Sequence, residues 1–134
     1  MPTRRDVVAQ FIPSSPLVGR LGIEVAALGD DEAELVLPFD PQNATVGDVV
    51  HGGAIAALID TAGMAAAWSD DAEAGAGGGT ISLSVDFAAP ARGTDLRAHA
   101  TVVRRGGRIC FCEVTVTGGD GKPVAKGLVT HNYA

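Results

Sequence analysis

Aromatic side chains are scarce, at 4% of the 134 residues. A core of large rings is thereby excluded, and the abundant Gly and Ala imply backbone elements packed close together. Cysteine is nearly absent. Cys110 and Cys112 stand at i and i+2 of a predicted strand, so they point the same way. Two such residues make no disulfide framework and read as reduced core thiols of a cytosolic protein. Positive charge is in short supply, with 10 Lys and Arg against 16 Asp and Glu and a net charge of -6. That balance argues against a nucleic-acid partner, although local charge still allows an anionic ligand. Long apolar runs are missing too. The opening MPTRRDVVAQFIPSSP is broken by Asp6 and Gln10, so it does not read as a signal peptide. The longest apolar stretch, 52–68, carries Asp60 near its middle and reads as a buried helix, not a membrane span.

What is present, 46% apolar and 19% charged residues, is the composition of one ordinary globular domain over 1–134. Patterning predicts a short amphipathic helix over 4–12, ended by Pro13 and Pro16. Strands follow at 21–28 and 33–37 around the Gly29-Asp30-Asp31 turn. A loop covers 38–50, a long helix 52–69 and a Gly/Ala-rich loop 70–79. Strands at 80–87, 96–103, 109–117 and 124–132 close the chain, joined by turns. In the first of these, Ile81, Leu83, Val85 and Phe87 alternate with Ser82, Ser84 and Asp86. Hairpin succession gives an antiparallel sheet. One apolar helix covered by that sheet makes an α+β domain.

The segment His51-Gly52-Gly53 opening the long helix is the richest in chemistry. A first helical turn has free N–H groups at a positive dipole end, and glycine leaves them uncovered. That suits an oxyanion hole; it equally suits a tight turn into the helix. Asp60 sits among Leu58, Ile59, Ala62 and Met64. A buried carboxylate is costly unless paired, so Asp60 reads as a general base or nucleophile, or as an acid facing a polar crevice. Gly52 and Asp60 are eight residues apart, roughly 12 Å along one helix. A base must come within about 3 Å of its proton, so one helix cannot bring both groups to one carbonyl carbon. Two antiparallel copies can, which implies a two-fold dimer. Gly63, Ala56 and Ala67 are placed to allow that close approach.

The run HGGAIAALIDTAG resembles the helix signature of hot-dog thioesterases, in the phenylacetate-type branch of small acyl-CoA hydrolases. The resemblance covers about residues 17–132, including VDFAAPARG and GGDGKPVAKGLVTH. It implies a hot-dog fold, an antiparallel sheet wrapped around one long helix. It also implies hydrolysis of an acyl-CoA thioester by a homo-oligomer, a dimer of dimers. By the same resemblance Gly52 donates its N–H to the thioester carbonyl, His51 fixes the loop, Asp60 activates water across the dimer, and Thr80 orients that water. The family often has Asn six residues before the histidine. Thr45 stands there in this chain and Asn43 lies two residues further back, so Asn43 takes the role only if the longer loop allows it.

Gly53 and the turn residues Arg104, Arg105 and Arg108 are candidate substrate contacts, since arginine forks suit the phosphates of coenzyme A. A solvated hairpin tip is the alternative for the arginines. His99 and His131 lack ligand spacing, so no metal and no cofactor are expected, and both histidines read as structural. Trp68, Met64 and Phe87 line an acyl pocket or belong to the core. A non-catalytic acyl-CoA-binding module is the second functional reading. A hydratase ranks last, because the acid follows the histidine.

Overall fold

The computed structural model describes residues 1–75 and 77–133. It opens with two helices, α1 (Arg4–Ser14) and α2 (Pro16–Leu21). Thr3 starts α1 through a reciprocal cap. Its hydroxyl accepts the Asp6 N–H, and the Asp6 carboxylate accepts the Thr3 N–H, both at 3.1 Å. Those bonds to Thr3 hold the Asp6 carboxyl below its usual range. The helix runs two residues past its predicted end at Ile12, because a proline in the last turn still accepts a helical φ. α2 was not predicted. Pro16 occupies its first turn and Gly22, in the left-handed region at φ 80°, ends it, so the following strand starts at Glu24 and not at Leu21.

The sheet is built from β1 (Glu24–Gly29), β2 (Glu32–Leu37), β5 (Gly79–Phe87), β6 (Leu96–Arg105), β7 (Ile109–Thr117) and β8 (Pro123–Asn132). All pairings are antiparallel, in the order β1-β2-β6-β7-β8-β5. Within the expected loop, β3 (Ala44–Val46) and β4 (Val49–Val50) form a small ribbon after a 3-10 turn at Pro41–Asn43. The long helix α3 (Gly52–Ala67) packs against one face of the sheet, with Leu58, Ile59, Ala62 and Ala65 fully buried. This is the α+β hot-dog arrangement that the sequence leads one to expect. No helix among the described residues is long and apolar enough to cross a membrane.

Two glycines set the distance between helix and sheet. A Cβ on Gly63 would lie 2.6 Å from the Val129 side chain, and one on Gly127 would lie 2.4 Å from Ile59. Gly63 and the buried Ala67 therefore serve helix-to-sheet contact in the same chain, and not the helix-to-helix approach expected for them. The half-buried stripe of α3 is instead Ala56, Ala57, Asp60, Thr61 and Met64. The C-terminal end of α3 is capped by Arg105, which donates to the Ala67 carbonyl at 2.6 Å and pairs with Asp31 at 2.8 Å.

Candidate active site

The site forms where α3 passes the first residues of β5. Asp60 is half-buried on the open stripe of α3, and Thr80 Oγ1 donates to Asp60 Oδ1 at 2.6 Å. Strict alternation along β5 would turn Thr80 away from the helix, with Ser82 and Ser84. A bulge prevents this. Thr80 pairs with His131 while Ser82 pairs with Thr130, so Ile81 is the extra residue and Thr80 shares a face with Leu83 and Val85. The bulge thus re-aims one hydroxyl at the carboxylate. Such a charge-assisted bond is short and restrains the acid in one orientation.

The start of α3 is arranged as an amide tip. His51 is the N-cap, and its Nδ1 accepts the Gly53 N–H at 2.7 Å. A side chain on Gly53 would collide with the His51 ring, because its Cβ would lie 2.9 Å from Nδ1. The Gly53 amide, a candidate substrate contact by sequence, is thus committed to His51. The Gly52 N–H has no acceptor among the described residues. Phe87, 55% exposed, stands outside the core, with its ring 3.4 Å from where a Gly52 Cβ would be.

Asn43 ties two segments together. Its Nδ2 donates to the Leu21 carbonyl at 2.9 Å, and its own carbonyl accepts the His51 N–H at 2.8 Å. It thereby holds the approach to α3 against the end of α2, and its amide is not joined to Asp60. Arg104 and Arg108 are exposed at the β6–β7 turn. Arg105 is not free for phosphate, since its guanidinium is spent on Asp31, Asp70 and the last carbonyls of α3.

A cavity of about 680 Å³ lies between α1, α2 and α3. Asp60 and Thr80 line it together with Ile12, Leu17, Ile23, Met64, Trp68 and His131. Met64 and Trp68, read from sequence as acyl-pocket or core residues, line this chamber and Phe87 does not; the lining from α1 and α2, where Phe11 and Leu17 are more than half exposed, was not anticipated. His131 also escaped notice as a site residue; its position opposite Thr80 in the sheet is visible only once the bulge is known. Burial pushes the proton affinity of the His131 ring down, partly offset by the charge of Asp60. Among the described residues no group of His, Cys, Asp and Glu could hold a metal ion.

Known proteins share both the sequence and the shape of this site's scaffold. Residues 47–125 match the thioesterase superfamily. A Halobacterium salinarum protein named "Putative esterase" is 36% identical over 114 residues, spanning 82% of this chain and 75% of that one. The proofreading thioesterase EntH of Cronobacter turicensis is 44% identical over 52 residues, 39% of this chain and 38% of that one. In overall shape the chain resembles the E. coli PaaI protein from the phenylacetic acid degradation operon, with a TM-score of 0.83, 20% identity, and coverage of 98% of this chain and 94% of that one. The match over residues 47–125 takes in α3, β5, β6, β7 and the start of β8, and so the chain belongs to the thioesterase superfamily and carries its hot-dog fold.

Proposed function

We propose that the protein is an acyl-CoA thioesterase that uses Asp60 as its base. The observation that carries this reading is the Asp60–Thr80 pair, a carboxylate and hydroxyl 2.6 Å apart in the wall of an apolar chamber. The reaction runs by water attack. Asp60 takes a proton from a water placed by Thr80, the water oxygen bonds to the thioester carbonyl carbon, and the carbonyl oxygen becomes an oxyanion. The Gly52 N–H at the positive end of α3 stabilises that charge. Collapse of the intermediate breaks the carbon–sulfur bond, and the coenzyme A thiolate takes up the proton.

If Gly52 and Asp60 act on one carbonyl, their spacing calls for a second copy of the chain. Asp60 and Gly52 are separated by roughly 12 Å on one helix, so the oxyanion donor for each Asp60 comes from the partner's α3. β5 supports the same dimer. It is an edge of the sheet, and its Ile81, Leu83 and Phe87 remain 60%, 40% and 55% exposed in the single chain. An edge strand with exposed apolar side chains invites pairing with another strand. Dimers then assemble into a tetramer in the cytoplasm. Arg104 and Arg108, exposed beside the sheet, are the side chains we assign to the coenzyme A phosphates.

Thiol release from a panel of acyl-CoA esters, short aliphatic through aromatic to long-chain, tests the activity. Hydrolysis of at least one ester, reduced at least tenfold in an Asp60→Asn variant that melts like the wild type, supports the reading. A protein that binds acyl-CoA and releases no thiol would instead be the non-catalytic module.

A further inference from the structure

His131 has one nitrogen engaged and one without a partner. Trp68 Nε1 donates to His131 Nε2 at 2.8 Å. An indole N–H can only donate, so Nε2 is the nitrogen with the lone pair, and the neutral ring carries its proton on Nδ1. The burial that lowers the ring's proton affinity keeps it neutral. Nδ1 is buried, the whole residue is 3% exposed, and Nδ1 has no hydrogen-bond partner among the described residues. A buried donor left unmet is costly, so an acyl group that offers it an acceptor gains over one that does not. The ring belongs to the wall of the same chamber that Asp60 and Thr80 line.

Position then limits where the acceptor sits. His131 is the direct cross-strand partner of Thr80, and such pairs hold their Cβ atoms about 4.5–5.5 Å apart. His131 stands between Thr80 of β5 and Cys110 of β7 in the sheet, so its ring lies at the Asp60–Thr80 end of the chamber. We infer that His131 is a specificity-determining residue, whose Nδ1–H receives an oxygen on the second or third carbon of the acyl group. The inference rests on the acyl-CoA hydrolase reading for the identity of the ligand. The chain would thus favour 2- or 3-oxygenated acyl groups over plain hydrocarbon ones.

The test compares hexanoyl-CoA, 2-hydroxyhexanoyl-CoA and 3-hydroxyhexanoyl-CoA on the full chain and two variants. His131→Gln keeps an acceptor for Trp68 and loses the donor near the Nδ1 position. His131→Asn places an amide N–H near that position and gives up the bond to Trp68. In wild type, kcat/KM for one hydroxylated ester exceeds that for hexanoyl-CoA at least fivefold. His131→Gln brings this ratio close to one by lowering kcat/KM for the hydroxylated ester more than for hexanoyl-CoA, and His131→Asn retains the preference. A wild type with no preference, or a His131→Gln variant that slows all three esters equally, overturns the inference. If no ester releases thiol, the hydrolase reading fails, and binding decides the inference separately. A fivefold tighter calorimetric Kd for a hydroxylated ester, lost in His131→Gln, supports it; equal Kd values overturn it.

Discussion

Thr80→Val isolates the hydroxyl that meets Asp60. Valine keeps the shape of threonine and the strand preference of the position, so the sheet should be undisturbed. What disappears is one hydrogen bond of 2.6 Å to a carboxylate. Hydrogen bonds to charged groups contribute about 1.5–3 kcal/mol. If that restraint matters only while the acid works on water, the loss falls on the transition state, and about 1.4 kcal/mol corresponds to tenfold in rate. The expected fall in kcat/KM is therefore about 10- to 150-fold, towards the lower end because Thr80 and Asp60 are only half-buried and water can replace part of the bond. The assay is thiol release from the best acyl-CoA ester, with Thr80→Ser as the control that restores the hydroxyl. Activity of Thr80→Val within twofold of wild type, with an unchanged melting temperature, would refute the reasoning.

Gly63→Ala should destabilise by about 1–3 kcal/mol in urea unfolding through overpacking, partly offset by about 1 kcal/mol of helix preference, because its Cβ would lie 2.6 Å from Val129. Arg104→Ser with Arg108→Ser should raise KM for acyl-CoA with little change in kcat or melting temperature, and weaken salt dependence, as exposed phosphate contacts do. Arg105→Gln should instead lower the melting temperature, since it removes the cap on α3 and the pairs with Asp31 and Asp70. For His131, burial depresses proton binding in the folded state below the ordinary 6.5. Stability from this group is complete above that value and is lost as pH falls below it, because the unfolded chain then binds the proton more readily. The melting temperature of wild type should thus drop more between about pH 7.5 and 5.5 than that of His131→Gln.

Much of the fold is written in patterns that a reader of the sequence can see. The apolar 52–68 run, the Gly29-Asp30-Asp31 turn and the four closing strands are all found near their predicted bounds, because period and turn residues are local signals. α2 was hidden because six residues between Pro16 and Gly22 carry too short a pattern to show a helical face. The purpose of Gly63 was misread for a different reason. Its need for closeness is visible in sequence, but the partner, Val129, is 66 positions away and belongs to the chain's own sheet. At the site, Asp60 stands out in the sequence as a charge in an oily helix and His51 as the residue before two glycines that open it, while the capping bond from Gly53 to His51 is seen only in the structure. The Thr80 orientation depends on a bulge, and strict alternation would have aimed it the other way. The phosphate role of Arg105 looked as good as that of its neighbours, since nothing local says that β6 delivers it to the carbonyls ending α3.

Subunit mixing bears most directly on the claim that the site is shared. Gly52→Pro removes the proposed oxyanion donor while suiting the first helical position, and His51 before it already has the extended backbone that precedes proline, at φ -62° and ψ 133°. Gly52→Pro and Asp60→Asn should each be inactive alone. Unfolded together in equal amounts and refolded, they should regain about a quarter of wild-type activity, because half of the random dimers carry one intact Gly52–Asp60 pair. A mixture no more active than its parts, beside a wild type that hydrolyses acyl-CoA as a monomer, would contradict the account.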